Sequence, residues 1–311
     1  MSGPVTGDHD APAEGCHGET TPDVEVADSR EAHVGRFTVR RALPRRARRT
    51  VGAWCFVDHM GPAAVTEDQG LDVAPHPHIG LQTVTWLFEG EALHRDSLGS
   101  EQVIAPGQLN LMTAGAGVAH SEEATGRYRG DLHGIQLWVA QPEATRHGAA
   151  AFEHHAELPQ VDVGSATATV LVGELDGTTS PARRDTEHVG VDLVLRAGTA
   201  VLPLQAEHEH AVVVVEGTVE VQGRPVGVGQ HAYLGLGHEE CRLEATAPAR
   251  AVLLGGVPFE EQLLMWWNYV ARTRDEITDA HQAWLAGDPR FPTVASALPR
   301  IEPDPPPWVQ R

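Results

Sequence analysis

Apolar and polar side chains alternate along much of this chain, in runs that end at glycine or proline. Residues 82–88 alternate in part, with Val84, Trp86 and Phe88 on one face, and Glu89-Gly90 then begins a turn. This two-residue period predicts a β-strand with one face in a core. Further strands are predicted at residues 51–60 (ending at Gly61-Pro62), 132–139, 167–172, 191–195, 211–215, 218–221 and 251–254.

The periodicity changes near the C-terminus, where the apolar residues recur at helical intervals: Leu263, Trp266, Val270, Ile277 and Trp284. Thr273 and Glu276 have the spacing of a capping box, so one helix is predicted to begin there and to stop at Gly287. The pair Trp266-Trp267 is interpreted as core or interdomain packing rather than as a ligand platform. A proline-rich segment follows and is expected to form an extended arm.

Composition supports an all-β protein of two domains. The 311 residues include 32 Gly and 22 Pro, many of them between short apolar runs. The hydrophobic fraction of 41% is enough to fill two cores. The formal net charge of −20 argues against direct nucleic-acid binding, because phosphate contacts need a positive surface.

Cysteine usage and hydropathy favour the cytoplasm. Cys16, Cys55 and Cys241 are an odd, scattered set, which is not a disulfide framework. No stretch of about 18 apolar residues is present, so no membrane contact is expected. The acidic N-terminal segment lacks the apolar centre of a secretory signal.

One basic cluster interrupts the acidic sequence: Arg40, Arg41, Arg45, Arg46, Arg48 and Arg49. The simpler interpretation is a solvated strand edge and turn that offset the acidic surface. The alternative is a docking patch for an anionic protein partner.

An internal repeat suggests that one β-barrel module is used twice. Glu89-Gly90 has a counterpart in Glu216-Gly217, and Pro106-Gly107 has one in Val228-Gly229. We therefore expect four segments: a disordered acidic tail (1–33), an N-terminal metal-binding domain (34–150), a C-terminal domain without metal (160–257), and a helix with a proline-rich arm (258–311).

Two short motifs carry the candidate chemistry. His76 and His78 are two residues apart, as are His120 and Glu122. On a strand, side chains at this spacing leave the same face, so each motif aims two ligands in one direction. If the two strands face each other, three imidazoles and one carboxylate converge into a site for a divalent transition metal.

A second His-x-His pair, His208 and His210, does not continue this pattern. In the register of the repeat, the positions equivalent to His76 and His78 are Pro203 and Gln205. The second domain is therefore predicted to bind no metal, with His208 and His210 at an exposed strand start.

The chain resembles the pirins, a family of two-domain cupin proteins. The resemblance rests on residues 54–62 (WCFVDHMGP), 75–90 (PHPHIGLQTVTWLFEG) and 106–123 (PGQLNLMTAGAGVAHSEE), and on Trp266-Trp267-Asn268 with the helix that follows. It implies two cupin-type, jelly-roll-like β-barrels with a C-terminal helix, and one metal in the first barrel. Carried over by position, the ligands are His76, His78, His120 and Glu122. Where some members have a glutamate, this chain has Gln82.

The resemblance also implies two alternative functions. Some pirins cleave the flavonol quercetin with dioxygen to give a depside and carbon monoxide. We therefore expect a quercetin 2,3-dioxygenase with one divalent metal, Fe²⁺ first and Mn, Ni, Cu or Zn as alternatives, in which Glu122 also acts as a general base. Other members are metal- or redox-sensing regulators that bind a transcription factor or a metabolic enzyme.

The sequence does not determine which residues surround the metal ligands. Asp58, His59 and Glu123 are candidates for bonding the ligand histidines, because they lie near the motifs. His59, His94 and His133 are interpreted as structural histidines. The aromatic residues Trp54, Phe56, Trp86 and Trp138 are candidates for lining a flavonol pocket, with core filling as the simpler interpretation.

Overall fold

The computed structural model describes residues 24–35, 37–66 and 70–309. The chain is 54% strand and 5% helix, which confirms the all-β prediction. In chain order the elements are β1 (Glu25–Asp28), β2 (Arg30–Val34), β3 (Phe37–Leu43), β4 (Trp54–Val65), β5 (Val73–His78), β6 (Leu81–Glu89), β7 (Ala92–Asp96), β8 (Glu101–Ile104), β9 (Leu109–Thr113), β10 (Val118–Glu123), β11 (Gly130–Ala140), β12 (Ala151–His155), β13 (Gln160–Val163), β14 (Ala166–Val172), β15 (Glu174–Leu175), β16 (Thr178–Thr179), β17 (His188–Leu195), β18 (Gly198–Pro203), β19 (Glu209–Glu216), β20 (Thr218–Val221), β21 (Arg224–Gly227), β22 (Gln230–Leu234), β23 (Glu240–Ala245), β24 (Ala249–Gly256), β25 (Leu264–Trp266), β26 (Tyr269–Ala271) and α1 (Arg274–Ala286).

Two cupin-type barrels repeat one arrangement of a seven-stranded and a four-stranded sheet. The sheets of the first barrel have the strand orders β12-β9-β6-β11-β4-β3-β2 and β5-β10-β7-β8. Those of the second have the orders β1-β22-β19-β24-β17-β14-β13 and β18-β23-β20-β21. The pairing of β18 with β23 thus matches the pairing of β5 with β10. Within the residues described, no helix has the length and apolar character needed to cross a membrane.

The N-terminal residues depart from the prediction of a disordered tail. Residues 25–28 form the edge strand β1 of the second barrel, and residues 30–34 form the edge strand β2 of the first. The part of the prediction on residues 1–23 lies outside the described residues. Strand β1 was missed because its partner β22 lies about two hundred residues away, and pairing at that distance leaves no local signal.

Several boundaries differ from the predicted ones. The first sheet extends through β12 to His155 and so passes residue 150. Strand β4 does not end at Gly61-Pro62 but continues to Val65. Residues 264–271 form the hairpin β25–β26 rather than part of a helix. Helix α1 does begin after Thr273, whose side chain accepts from the Glu276 N–H, and Gly287 ends it in the left-handed conformation.

The two barrels share one apolar core between their seven-stranded sheets. Outward-facing residues of the first barrel pack there against Val213, Val252 and Leu254 of the second. The Trp54 indole N–H donates to the carbonyls of Val189 and Gly255, both at 3.1 Å. Burial of this apolar face fixes the two barrels against each other.

Candidate metal centre

The first barrel encloses a cavity of about 240 Å³ that contains both predicted ligand motifs. Strands β4, β5, β10 and β11 form its walls. The C-terminal segment closes it, through the turn Trp267-Asn268 and through Ile301 of the extended arm. The arm is held in place because the Ile301 N–H donates to the Pro75 carbonyl at 2.9 Å.

The structure brings the three predicted histidines together. Strands β5 and β10 pair antiparallel with His76 opposite His120 and His78 opposite Val118. One nitrogen from each ring of His76, His78 and His120 lies within 4.8 Å of the other two, and all three side chains are buried. The Nε2 atoms of His78 and His120 are 3.0 Å apart. This spacing is what ligation of one ion by three imidazoles requires.

Hydrogen bonds behind the rings orient two of them. His76 Nδ1 donates to the Ala74 carbonyl and His78 Nδ1 donates to the Asn268 carbonyl, each at 2.9 Å. A neutral imidazole that donates through Nδ1 keeps its lone pair on Nε2. Lone pairs that converge in a buried pocket repel one another without a cation between them, so these residues fit a divalent metal.

The protonation state of the three histidines also fits metal binding. Burial lowers the pKa of His76 to about 4, and burial with the neighbouring imidazoles lowers the pKa of His78 and His120 well below the ordinary histidine value. The three rings are therefore neutral at pH 7 and do not need to lose a proton to bind a metal.

Glu122 lines the same cavity but stands apart from the histidine group. Among the described residues, the set whose ligand atoms lie within 4.8 Å comprises the three histidines without Glu122. A register shift in β10 lies between His120 and Glu122, and the Glu122 carboxylate accepts from the Thr85 hydroxyl at 3.1 Å. Burial raises the pKa of Glu122. A fourth ligand at this position requires the carboxylate to turn towards the histidines.

Aromatic side chains form part of the cavity wall. Phe56 and Trp138 line it and are stacked, with ring centroids 4.0 Å apart and planes 15° apart. The other two candidates, Trp54 and Trp86, point into the interdomain core instead. A register shift in the β4–β11 pair, between Trp54 and Phe56, places these two side chains on different faces, although their two-residue spacing would put them on the same face of a regular strand.

Trp267 packs against the core around α1, as the sequence interpretation expected, but it also lines the cavity that contains the three histidines. Trp266 is buried in the same core, as expected. The Trp267 φ of 52° is in the left-handed region, which is unfavourable for a bulky residue. The two-residue turn of the β25–β26 hairpin holds this conformation and also presents the Asn268 carbonyl to His78.

The candidates for bonding the ligand histidines have other partners. Asp58 lines the cavity but pairs with Arg41. His59 contacts His133, with 2.8 Å between their Nε2 atoms. The Glu123 carboxylate accepts from Arg95 and Ser121. The groups behind the ligands are instead two backbone carbonyls and His94, whose Nδ1 lies 3.5 Å from His120 Nδ1.

Gln82 is buried away from the cavity lining. Its side-chain amide donates to the Thr113 hydroxyl at 3.0 Å. At this position the chain therefore has a structural hydrogen bond within the β6–β9 pair.

The second barrel has a different interior. Apolar side chains fill the region between β18 and β23, among them Ala200, Leu202 and Leu243. A separate cavity of about 330 Å³ lies at its rim, lined in part by His208 and His210. Both histidines are buried, at 8% and 1% exposure, so the prediction of an exposed strand start was wrong. Nothing in the local sequence indicated that the rim folds over them.

Known proteins resemble this chain across both barrels. Residues 36–139 match the family model described as Pirin, and residues 190–292 match the one described as Pirin C-terminal cupin domain. A Pseudomonas aeruginosa protein named "Putative quercetin 2,3-dioxygenase" is 47% identical over 276 residues, which cover 88% of this chain and 87% of that protein. A Caulobacter vibrioides protein named "Pirin-like protein" is 40% identical over 277 residues, covering 86% and 95%. The crystal structure of a quercetin 2,3-dioxygenase from Acinetobacter baumannii matches with a TM-score of 0.89 and 41% identity, covering 93% of this chain and 97% of that chain.

Proposed function

Because the chain belongs to the pirin family, we propose that it is a metal-dependent dioxygenase that cleaves a flavonol such as quercetin. The observation that carries this proposal is the group of three neutral, buried histidines at an aromatic-walled cavity. The names of the P. aeruginosa and A. baumannii relatives support the substrate class.

The ligand set favours a first-row transition metal. His76, His78, His120 and Glu122 would hold the ion, which when bound supplies Lewis-acid and redox chemistry. We propose Fe²⁺ as the natural metal, because imidazole nitrogen with carboxylate oxygen is a donor set typical of non-haem iron oxygenases. Mn, Ni, Cu and Zn are the alternatives that elemental analysis distinguishes.

Glu122 is proposed to accept the proton of the flavonol 3-hydroxyl. The buried carboxylate, with its raised pKa, is a stronger base than an exposed glutamate. The overall reaction balances: both atoms of dioxygen enter the depside, and carbon 3 leaves with its own oxygen as carbon monoxide. No other oxidant or reductant is required.

The cavity walls would orient a flat, polyphenolic substrate. The stacked pair Phe56 and Trp138 and the Trp267 ring give apolar faces. Asp58 and Gln136 add polar groups that can bond hydroxyls of the ligand. Such a combination of apolar walls and few polar groups is typical of small-molecule sites.

The regulatory alternative has less support from the structure. Four residues of the arginine cluster bond within the chain: Arg40 to the Gly61 carbonyl, Arg41 to Asp58, Arg45 to the Asp28 carbonyl and Arg48 to Glu25. This arrangement favours the structural interpretation of the cluster over a docking patch. The cytoplasmic location stays a prediction.

One experiment tests the proposal. Purified protein is analysed for metal, then mixed with quercetin without oxygen and afterwards exposed to air. Oxygen-dependent loss of quercetin absorbance, with carbon monoxide released in equal amount, is the expected result. One equivalent of metal without turnover would overturn the proposed activity, and failure to bind any of the five metals would overturn the site as well.

A further inference from the structure

A chain of buried polar side chains extends behind the ligand His120. Strand β7 pairs with β10 and places Asp96 opposite His120 and His94 opposite Glu122. His120 Nδ1 lies 3.5 Å from His94 Nδ1, and His94 Nε2 lies 3.2 Å from Asp96 Oδ2. His94 and Asp96 are 4% and 2% exposed, so both are shielded from bulk water.

The contacts of Asp96 determine which atom donates and which accepts in each hydrogen bond from Asp96 through His94 to His120. Asp96 Oδ1 accepts from the N–H groups of Leu98 and Ser100, both at 2.9 Å, which fixes the carboxylate. Asp96 Oδ2 then accepts from Nε2–H of His94, which assigns Nδ1 of that imidazole as the acceptor. That lone pair accepts from Nδ1–H of His120 and leaves the His120 lone pair on Nε2, which faces His78.

The His94 ring has little freedom to turn away. It stacks on Phe152 of β12, with centroids 4.4 Å apart and planes 13° apart. The flat contact on one side and the Asp96 bond at the edge hold Nδ1 towards His120. The other two ligand histidines, by contrast, donate to backbone carbonyls.

We propose that His94 and Asp96 are positioning residues that fix the tautomer and orientation of His120 for binding a divalent transition metal. This inference rests on the metal centre of the proposed function. A carboxylate that acts through a bonded imidazole makes the ligand more electron-donating and holds its ring, and loss of such a partner typically lowers metal affinity about 10- to 100-fold.

Metal affinity and a spectroscopic signature separate this role from a purely structural one. Apoprotein prepared with a chelator is titrated with Co²⁺ against a chromophoric competitor, and the visible absorption of the Co²⁺ form is recorded. Melting of each apoprotein is measured in parallel. His94→Phe keeps the stacking on Phe152 but removes both nitrogens, whereas His94→Gln retains a group that can donate to Asp96 and accept from His120.

A matched control exists in the seven-stranded sheet of the same barrel. His133 is also 4% exposed and also contacts a second histidine, His59, but it faces Phe88 and Glu216 rather than the cavity. His133→Gln should lower the melting temperature without changing the Co²⁺ affinity or spectrum.

The expected result is a Co²⁺ affinity about 10- to 100-fold weaker in His94→Phe, with a shifted visible band, and near-wild-type values in His94→Gln. Asp96→Asn should also weaken Co²⁺ binding, and it provides the test if His94→Phe does not fold. Unchanged affinity and spectrum in both His94→Phe and Asp96→Asn would overturn the positioning role. Failure of the wild type to bind Co²⁺ would instead overturn the metal centre on which it rests.

Discussion

Arg41 and Asp58 form a two-bond ion pair inside the first barrel, with Nε–Oδ1 and Nη2–Oδ2 distances of 2.7 Å. Both side chains are 2% exposed. The Arg41 guanidinium also lies 4.4 Å from the centre of the Phe56 ring. Because Asp58 and Phe56 both line the metal cavity, this ion pair connects the stability of β3 and β4 to the shape of the site.

Removal of the arginine should therefore destabilise the protein strongly. Arg41→Ala leaves the Asp58 carboxylate buried without its partner, at an expected cost of about 3–5 kcal/mol in the free energy of unfolding. Urea unfolding of the metal-free protein measures this cost. Arg46→Ala, in the same cluster but at an exposed residue, should change stability by less than about 0.5 kcal/mol. Equal effects of the two substitutions would contradict the assignment.

Metal binding should depend on His120 and not on histidine content in general. His120→Ala removes one of three converging nitrogens and should lower the metal content of purified protein from one equivalent to near zero. His147→Ala is the control, because that side chain is 58% exposed on the surface. Retention of full metal by His120→Ala would show that the ion binds elsewhere.

Turnover and metal binding should separate at Glu122. Glu122→Gln keeps the size of the side chain and an oxygen for the Thr85 bond but cannot accept the substrate proton. The rate of quercetin cleavage should fall about 10²- to 10⁴-fold while three histidines retain the metal. Metal analysis and oxygen-dependent rates of one preparation test both halves. An active Glu122→Gln protein with full metal would exclude the general-base role.

Trp267 should affect substrate binding more than metal binding. Trp267→Ala removes an aromatic wall of the cavity, and loss of about 1 kcal/mol of ring contact raises KM for quercetin roughly fivefold. Trp308→Ala is the matched control, since Trp308 packs beside Trp266 outside the cavity lining. A parallel rise of KM in both variants would point to a general effect of the C-terminal segment.

Acid should destabilise the fold through the buried side chain of His59. Burial lowers the pKa of His59 to about 3, against an ordinary value of 6.5. Between these two pH values, His59 is protonated in the unfolded chain but stays neutral in the folded protein. The contribution of His59 to the free energy of unfolding is therefore complete above pH 6.5 and is lost as the pH falls towards 3. At pH 5 the cost is about 2 kcal/mol for this histidine.

The difference in unfolding free energy between pH 7 and pH 5 measures this effect in the metal-free protein. His59→Gln should reduce that difference by about 2 kcal/mol. His147→Gln, at the exposed position, should leave it as in the wild type. An unchanged pH dependence in His59→Gln would show that other groups account for the acid sensitivity.

The sequence predicted strands and the helix well where the pattern depends only on residues within one element. Alternation in β6 and the capping pair Thr273 and Glu276 are examples, since each depends on residues within one element. The same holds for His76 and His78, whose two-residue spacing on β5 gives them a shared face in the cavity. The convergence of His76 with His120 required only that β5 and β10 pair.

Features that depend on distant pairing escaped prediction. His78 bonds to the Asn268 carbonyl, 190 residues away, and His120 contacts His94 across the β7–β10 pair, 26 residues away. Sequence proximity pointed instead to Asp58, His59 and Glu123, which strand alternation and nearby arginines direct elsewhere. His94, which contacts the side of the His120 ring away from His78, was thus interpreted only as a structural histidine.

The edge position of β1 has a consequence for the order of folding during synthesis. Asp28 bonds to Gln230, 202 residues further along, so the first described strand leaves the ribosome long before its partner exists. Pairing across such a loop is slow, because closure entropy is lost before the contact forms. Until β1 arrives, β22 is an open sheet edge that a second nascent chain can pair with. Completion of this sheet therefore requires β22 to pair with a strand that was synthesised about two hundred residues earlier.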